Sequence, residues 1–122
     1  MSQLQESGEM YLEAILVLSK EKQAVRSLDI AQYRNYSKPS VSHAVKLLRD
    51  GGYITVDEDS FIHLTEEGRE VAEKIYLRHR VLTDFLTTLG VDEEIASKDA
   101  CKMEHVISDT TLSAIKAYLE KL

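Results

Sequence analysis

Cysteine is almost missing from this chain of 122 residues, which holds only Cys101. One cysteine excludes an internal disulfide and any zinc finger built from CxxC pairs. It also fits a reducing compartment, so a cytoplasmic location is expected. Long hydrophobic runs are missing too. No stretch approaches the roughly 18 apolar residues of a membrane span, so no membrane partner is expected. The opening "MSQLQESGEMYLEA" has no basic flank before an apolar core, and no signal peptide is expected. There is no internal repeat, low-complexity tract or long linker. Positive charge is scarce: 15 Lys and Arg face 21 Asp and Glu, for a net charge of −6. Taken in bulk, that balance argues against a nucleic-acid partner.

The residues that are present read as an ordinary soluble globular protein, 43% hydrophobic and 30% charged. The charge is unevenly spread. Residues 20–56 carry seven bases (Lys20, Lys22, Arg26, Arg34, Lys38, Lys46, Arg49) against three acids (Glu21, Asp29, Asp50). A basic segment inside an acidic chain suggests a local polyanion contact, although such unevenness is common in soluble proteins. The acidic remainder suits dimer contacts or cation binding.

Hydrophobic periodicity predicts six helices and one hairpin. A mostly buried helix covers residues 9–19. A short one follows over 26–35, with Ser27 as its cap. "YSKPS" is a turn in which Ser37 caps a third helix and Pro39, the only proline, fits its first turn. Gly51 and Gly52 end that helix. "YITVDEDSFIHLT" alternates as two strands around an acidic turn, Asp57 to Ser60. Thr65 opens a long helix that runs to Gly90. "VDEEIASKDACKMEHVIS" is a fifth helix, and "DTTLSAIKAYLEKL" a sixth capped by Asp109. The fold expected is mainly α: a winged helix-turn-helix with a two-stranded β wing over residues 1–65, then an α-helical domain over 66–122.

A helix-turn-helix lays its second helix in the major groove, with the residues near its N-terminus against the base edges. Here those are Ser37, Pro39, Ser40, Ser42 and His43, small or polar as close approach requires. His43 is placed to meet either a base or a phosphate. Arg26, Lys38, Lys46 and Arg49 reach phosphates, which supplies affinity rather than sequence choice. The acidic wing tip is a poor phosphate clamp. Winged helices with this pattern also bind proteins, so the pattern leaves both partners open.

"DACKMEHVISD" raises a separate question. Cys101, Glu104 and His105 share one helical face, and thiolate, carboxylate and imidazole together form half a shell for a divalent transition metal. The remaining ligands must come from elsewhere. Met10 and Glu13 share a face of the first helix, and His79 lies on the long helix, on a segment expected to pack near the fifth. Singly, a cysteine or methionine is more often buried filler than a ligand. An enzyme reading of Cys101 with His105 lacks oxyanion donors and a glycine-rich turn. No small organic substrate is expected.

"GEMYLEAI", "SKPSVSHAVKLLRDGGYI", "LTEEGREVAEKIYLRHRVLTDFL" and "DACKMEHVISD" together resemble the diphtheria-toxin-repressor family of metal-dependent regulators, over about residues 8–120. The resemblance implies a winged-helix DNA-binding domain and a helical dimerisation domain. It implies a homodimer on a palindromic operator in double-stranded DNA, with metal as co-repressor of metal-uptake genes. Position by position, Met10, Cys101, Glu104 and His105 match the activating site of the iron branch. The manganese branch has acids in place of Met10 and Cys101. His79 matches a ligand of both branches, and Glu13 one of the manganese branch. The iron branch's ancillary carboxylate and histidine fall at Thr83 and Ser97, so that second site is altered or rebuilt around His79 and Glu13. Thioether and thiolate favour Fe2+, Co2+ or Ni2+ over Mn2+, and Zn2+ also binds such ligands in vitro. The expectation is Fe2+, with Mn2+ second.

Overall fold

The structure, a computed structural model, describes residues 6–122. The elements run α1 (Glu6–Glu21), α2 (Ser27–Arg34), α3 (Lys38–Asp50), β1 (Ile54–Val56), β2 (Ile62–Leu64), α4 (Glu66–Thr88), α5 (Glu93–Met103) and α6 (Asp109–Glu120). The chain divides into two compact units, Met1–Glu73 and Lys74–Leu122, and the division falls inside α4.

In the first unit, α1 is apolar along nearly its whole inner surface. Leu12, Ile15 and Leu16 are buried with Ile30 of α2, with Val41, Val45 and Leu48 of α3, and with Ile54 and Ile62 of the hairpin. Each such side chain contributes on the order of 1.5–3 kcal/mol through burial. Tyr11 packs on Tyr36 with ring centroids 5.1 Å apart, and burial, then the neighbouring Tyr36, raises its phenol pKa.

Local chemistry sets where these elements begin and end. Ser37 caps α3 by accepting from Ser40 N, with Pro39 in the first turn. Asn35 closes α2 in the left-handed region, φ 58°. The cap of α2 is Arg26 rather than Ser27, because the Asp29 carboxylate turns back to accept Arg26 N–H at 2.8 Å. Lys22 holds the other Asp29 oxygen at 2.5 Å. The Lys22 hydrogen bond first, then the Arg26 N–H, lower the Asp29 pKa.

β1 and β2 pair antiparallel, Ile54 with Leu64 and Val56 with Ile62. Val25 adds a third short rung, accepting Ile62 N–H at 2.7 Å. The acidic turn organises itself. Asp57 Oδ1 accepts the N–H of Asp59 and of Phe61, and Oδ2 meets His63 Nε2 at 2.9 Å. Thr65 caps α4 through Gly68 N–H and also donates to Gly52 O at 2.7 Å. At Gly68 an added Cβ would lie 1.9 Å from Tyr53 O, so only glycine lets α4 start this close to the hairpin.

In the second unit, Ile75, Val81 and Leu82 of α4 are buried, as are Ala96 and Ala100 of α5. α4 stops at Thr88, two residues before the expected Gly90, which adopts φ 100°. α5 ends at Met103 rather than continuing to Ser108, and α6 is capped by Ser108, not Asp109. Arg78 sits at both places: its guanidinium donates to Glu104 O at 3.1 Å, to Ile107 O at 2.6 Å and to the Asp109 carboxylate. Those bonds satisfy carbonyls left over past the end of α5, and the Asp109 carboxylate faces Arg78 while Ser108 Oγ accepts Thr111 N–H.

Candidate metal centre and nucleic-acid face

The α3 helix separates its two jobs by face. Val41, Val45 and Leu48 point inward, while Ser37, Lys38, Pro39, Ser40, Ser42, His43 and Lys46 are all exposed. That surface begins at a helix N-terminus, offers hydroxyls and an imidazole, and is flanked by cations. It has the donors and the reach for a groove. Arg26 is also exposed but engaged: its guanidinium lies 4.3 Å over the Phe61 ring, and Nε donates to Asp59 O at 3.3 Å. It therefore steadies the wing turn as well as presenting charge.

Two residues of α1 were candidates for metal. Met10 is half-buried. Glu13, on the same face, is 3% exposed, with Arg34 Nη2 of α2 3.5 Å from its Oε1. A carboxylate this deep needs a compensating charge. Nothing in its sequence neighbourhood marked Arg34 as that partner.

The second unit gathers the other candidates. α4 presents His79, and its Nδ1 lies 2.8 Å from Glu104 Oε1. Glu104 caps the C-terminus of α5 with helical angles and is fully buried. His105 follows in the turn, its side chain without exposed surface and its Nε2 3.7 Å from Glu104 Oε2. Cys101 sits one turn earlier, half-buried. His79 and His105 thus each lie against the Glu104 carboxylate, and His105 lies past the helix end. Glu104 Oε2 makes no hydrogen bond among the described residues. Both altered ancillary positions touch His79: Ser97 Oγ is 3.3 Å from its Nε2, and Thr83 Oγ1 donates to its carbonyl. Ser97 thus reaches the His79 ring, and Thr83 its backbone.

Two domain families match in tandem: "Iron dependent repressor, N-terminal DNA binding domain" over residues 3–61, and "Iron dependent repressor, metal binding and dimerisation domain" over 65–122. The chain belongs to the iron-dependent repressor family. It is 37% identical over 120 residues to an uncharacterized HTH-type transcriptional regulator of Methanocaldococcus jannaschii, covering 97% of this chain and 96% of that one. It is 36% identical to the transcriptional regulator MntR of Escherichia coli, covering 91% of this chain and 72% of that protein. It is 34% identical to the diphtheria toxin repressor of Corynebacterium glutamicum, covering 89% of this chain and 48% of that protein. The solved structure of the manganese regulator SloR superposes with a TM-score of 0.84 at 28% identity, covering 93% of this chain and 53% of that one. The chain thus spans about half the length of that solved structure. Family membership places it among metal-dependent DNA-binding regulators, not enzymes.

Proposed function

We propose that this protein is a metal-activated transcriptional repressor that binds a palindromic operator as a homodimer and controls metal-uptake genes. One observation supports the metal most directly: Glu104. A fully buried carboxylate with an oxygen outside any hydrogen bond among the described residues is expensive in an apolar interior. A divalent cation removes that cost, and thiol, carboxylate and imidazole in one short stretch suit one. The proposed ligands of the activating ion are Cys101, Glu104 and His105 with Met10, while His79 and Glu13 serve a second ion. When bound, the ion supplies two positive charges and fixed coordination directions. The chain's own part is to bury the carboxylate, hold the imidazole of His79 against it, and present the thiol one turn away.

The soft donors Met10 and Cys101 favour Fe2+. The buried carboxylate of Glu13 favours the second reading, Mn2+, as does the manganese named for two of the solved relatives. On the DNA side, Ser37, Pro39, Ser40, Ser42 and His43 meet base edges or nearby backbone, while Arg26, Lys38 and Lys46 meet phosphates.

The test is fluorescence anisotropy of labelled promoter fragments, under anaerobic conditions, with chelator, then Fe2+, then Mn2+. Binding in the presence of metal alone is expected, and the ion that saturates at lower concentration identifies the branch. Equal binding under chelator would overturn the co-repressor reading. His43→Ala should weaken DNA binding and leave metal affinity unchanged.

A further inference from the structure

Arg78 is the buried cation of the second unit, 8% exposed, and it was not a candidate on sequence grounds. Its hydrogen bonds reach the turn after α5 and the first residue of α6. Nη1 donates to the carbonyls of Glu104 and Ile107, and Nη2 to the carboxylate of Asp109. Lys74, one turn earlier on α4, lies 3.8 Å from the other Asp109 oxygen. The turn has few bonds of its own, since Val106 N and Ile107 N both converge on Met103 O. A helix C-terminus exposes carbonyls that carry partial negative charge, and a guanidinium fork satisfies several of them in one plane.

Arg78 and His79 are neighbours on α4, and both hold Glu104. His79 takes its carboxylate and Arg78 its carbonyl. One residue is therefore fixed at both ends from a single helix, and His105 follows it directly in the chain.

We propose that Arg78 is a positioning residue for metal binding. It sets the backbone from which Glu104 and His105 project. Through Asp109, it ties that backbone to the first turn of α6. This rests on the reading of Glu104 and His105 as metal ligands. Partners of this kind, outside the ligands themselves, typically govern metal affinity by 10–100-fold. Lysine keeps the charge but cannot present a planar fork to three acceptors, so Arg78→Lys separates geometry from charge.

The experiment is an anaerobic Co2+ titration followed by optical absorption, on the full chain and on Arg78→Lys, Asp109→Asn and Glu104→Gln, with circular dichroism and thermal melting of each apo form. Arg78→Lys should weaken Co2+ binding by roughly tenfold and change the ligand-field bands. Asp109→Asn keeps both carbonyl contacts, so it should weaken binding by less than Arg78→Lys, with a measurable shift in the bands. If Arg78→Lys does not fold, Asp109→Asn decides alone, and wild-type Co2+ affinity and bands there overturn the proposal. A lower melting temperature with unchanged affinity and bands in either folded variant means a merely structural role and overturns it too. The parent reading has its own control. If Glu104→Gln binds Co2+ as the native chain does, the ligand assignment fails. If Glu104→Gln loses binding while Arg78→Lys keeps it, only the role of Arg78 fails.

Discussion

The first unit closes on Leu12, Ile15, Leu16, Ile30 and Ile54, all with essentially no exposed surface. In the second unit the buried residues larger than alanine are Ile75, Val81 and Leu82, and beside them Arg78 and Glu104. α6 buries no residue of its own, while Leu89, Val106, Tyr118 and Leu122 stay exposed. A groove of about 470 Å3 runs between Phe85, Leu89, Ala114, Ile115 and Tyr118. The difference shows two ways of holding a fold. Apolar burial is indifferent to ions and to partners. A small unit with buried charge and an exposed helix is the one expected to respond to an ion and to a partner.

The sharpest way to break the first unit is at the close approach of Gly68 to Tyr53. Gly68→Ala places a Cβ against Tyr53 O and forces α4 off the hairpin. A loss of about 3 kcal/mol is expected, the upper end for overpacking, read by urea denaturation. The second unit should instead respond to metal. At a hundredfold excess over its dissociation constant, the ion should stabilise the native chain by about 2.7 kcal/mol. Glu104→Gln should show no metal-dependent change in melting temperature. The partner dependence is tested at Tyr118, whose ring packs edge-on against Phe85 at 6.3 Å. Tyr118→Asp should weaken self-association by about 2 kcal/mol, seen by sedimentation, with the far-ultraviolet dichroism retained.

The smallest effect belongs to the cap of α2. The pKa of Asp29 is lowered by Lys22 and by Arg26 N–H, so its contribution is complete above the unfolded carboxylate value and fades as pH falls through the lower folded value. Asp29→Asn should therefore cost about 1 kcal/mol at neutral pH. The gap should close progressively below about pH 4, measured by urea titration across pH.

Sequence reading served the two units unequally, for the same reason. Ser37, Pro39, Gly52 and the strand alternation act within a few residues of where they stand, so the end of α3 and the hairpin can be read locally. The end of α5 cannot, because no glycine marks it. Arg78, about 26 positions earlier, captures Glu104 O. The same long-range contact hides Ser108 behind the better-looking cap Asp109. In the candidate centre, Glu104 was legible from its spacing to Cys101 and His105, and His79 as a histidine on the long helix. Arg34, beside the buried Glu13 carboxylate, and Arg78, on the Glu104 carbonyl, were not, since an arginine on a helix gives no local sign of turning inward.

The division of α3 into two faces bears on how such a regulator changes over time. Stability rests on Val41, Val45 and Leu48, whereas Ser42, His43 and Lys46 stand in solvent. Ser37 is the exception on the outer face, because its hydroxyl starts the helix. The remaining outer positions are open to substitution at little folding cost. A duplicated gene could drift there to a new operator while keeping its metal response, and a library confined to those positions should yield regulators that ignore one another's promoters.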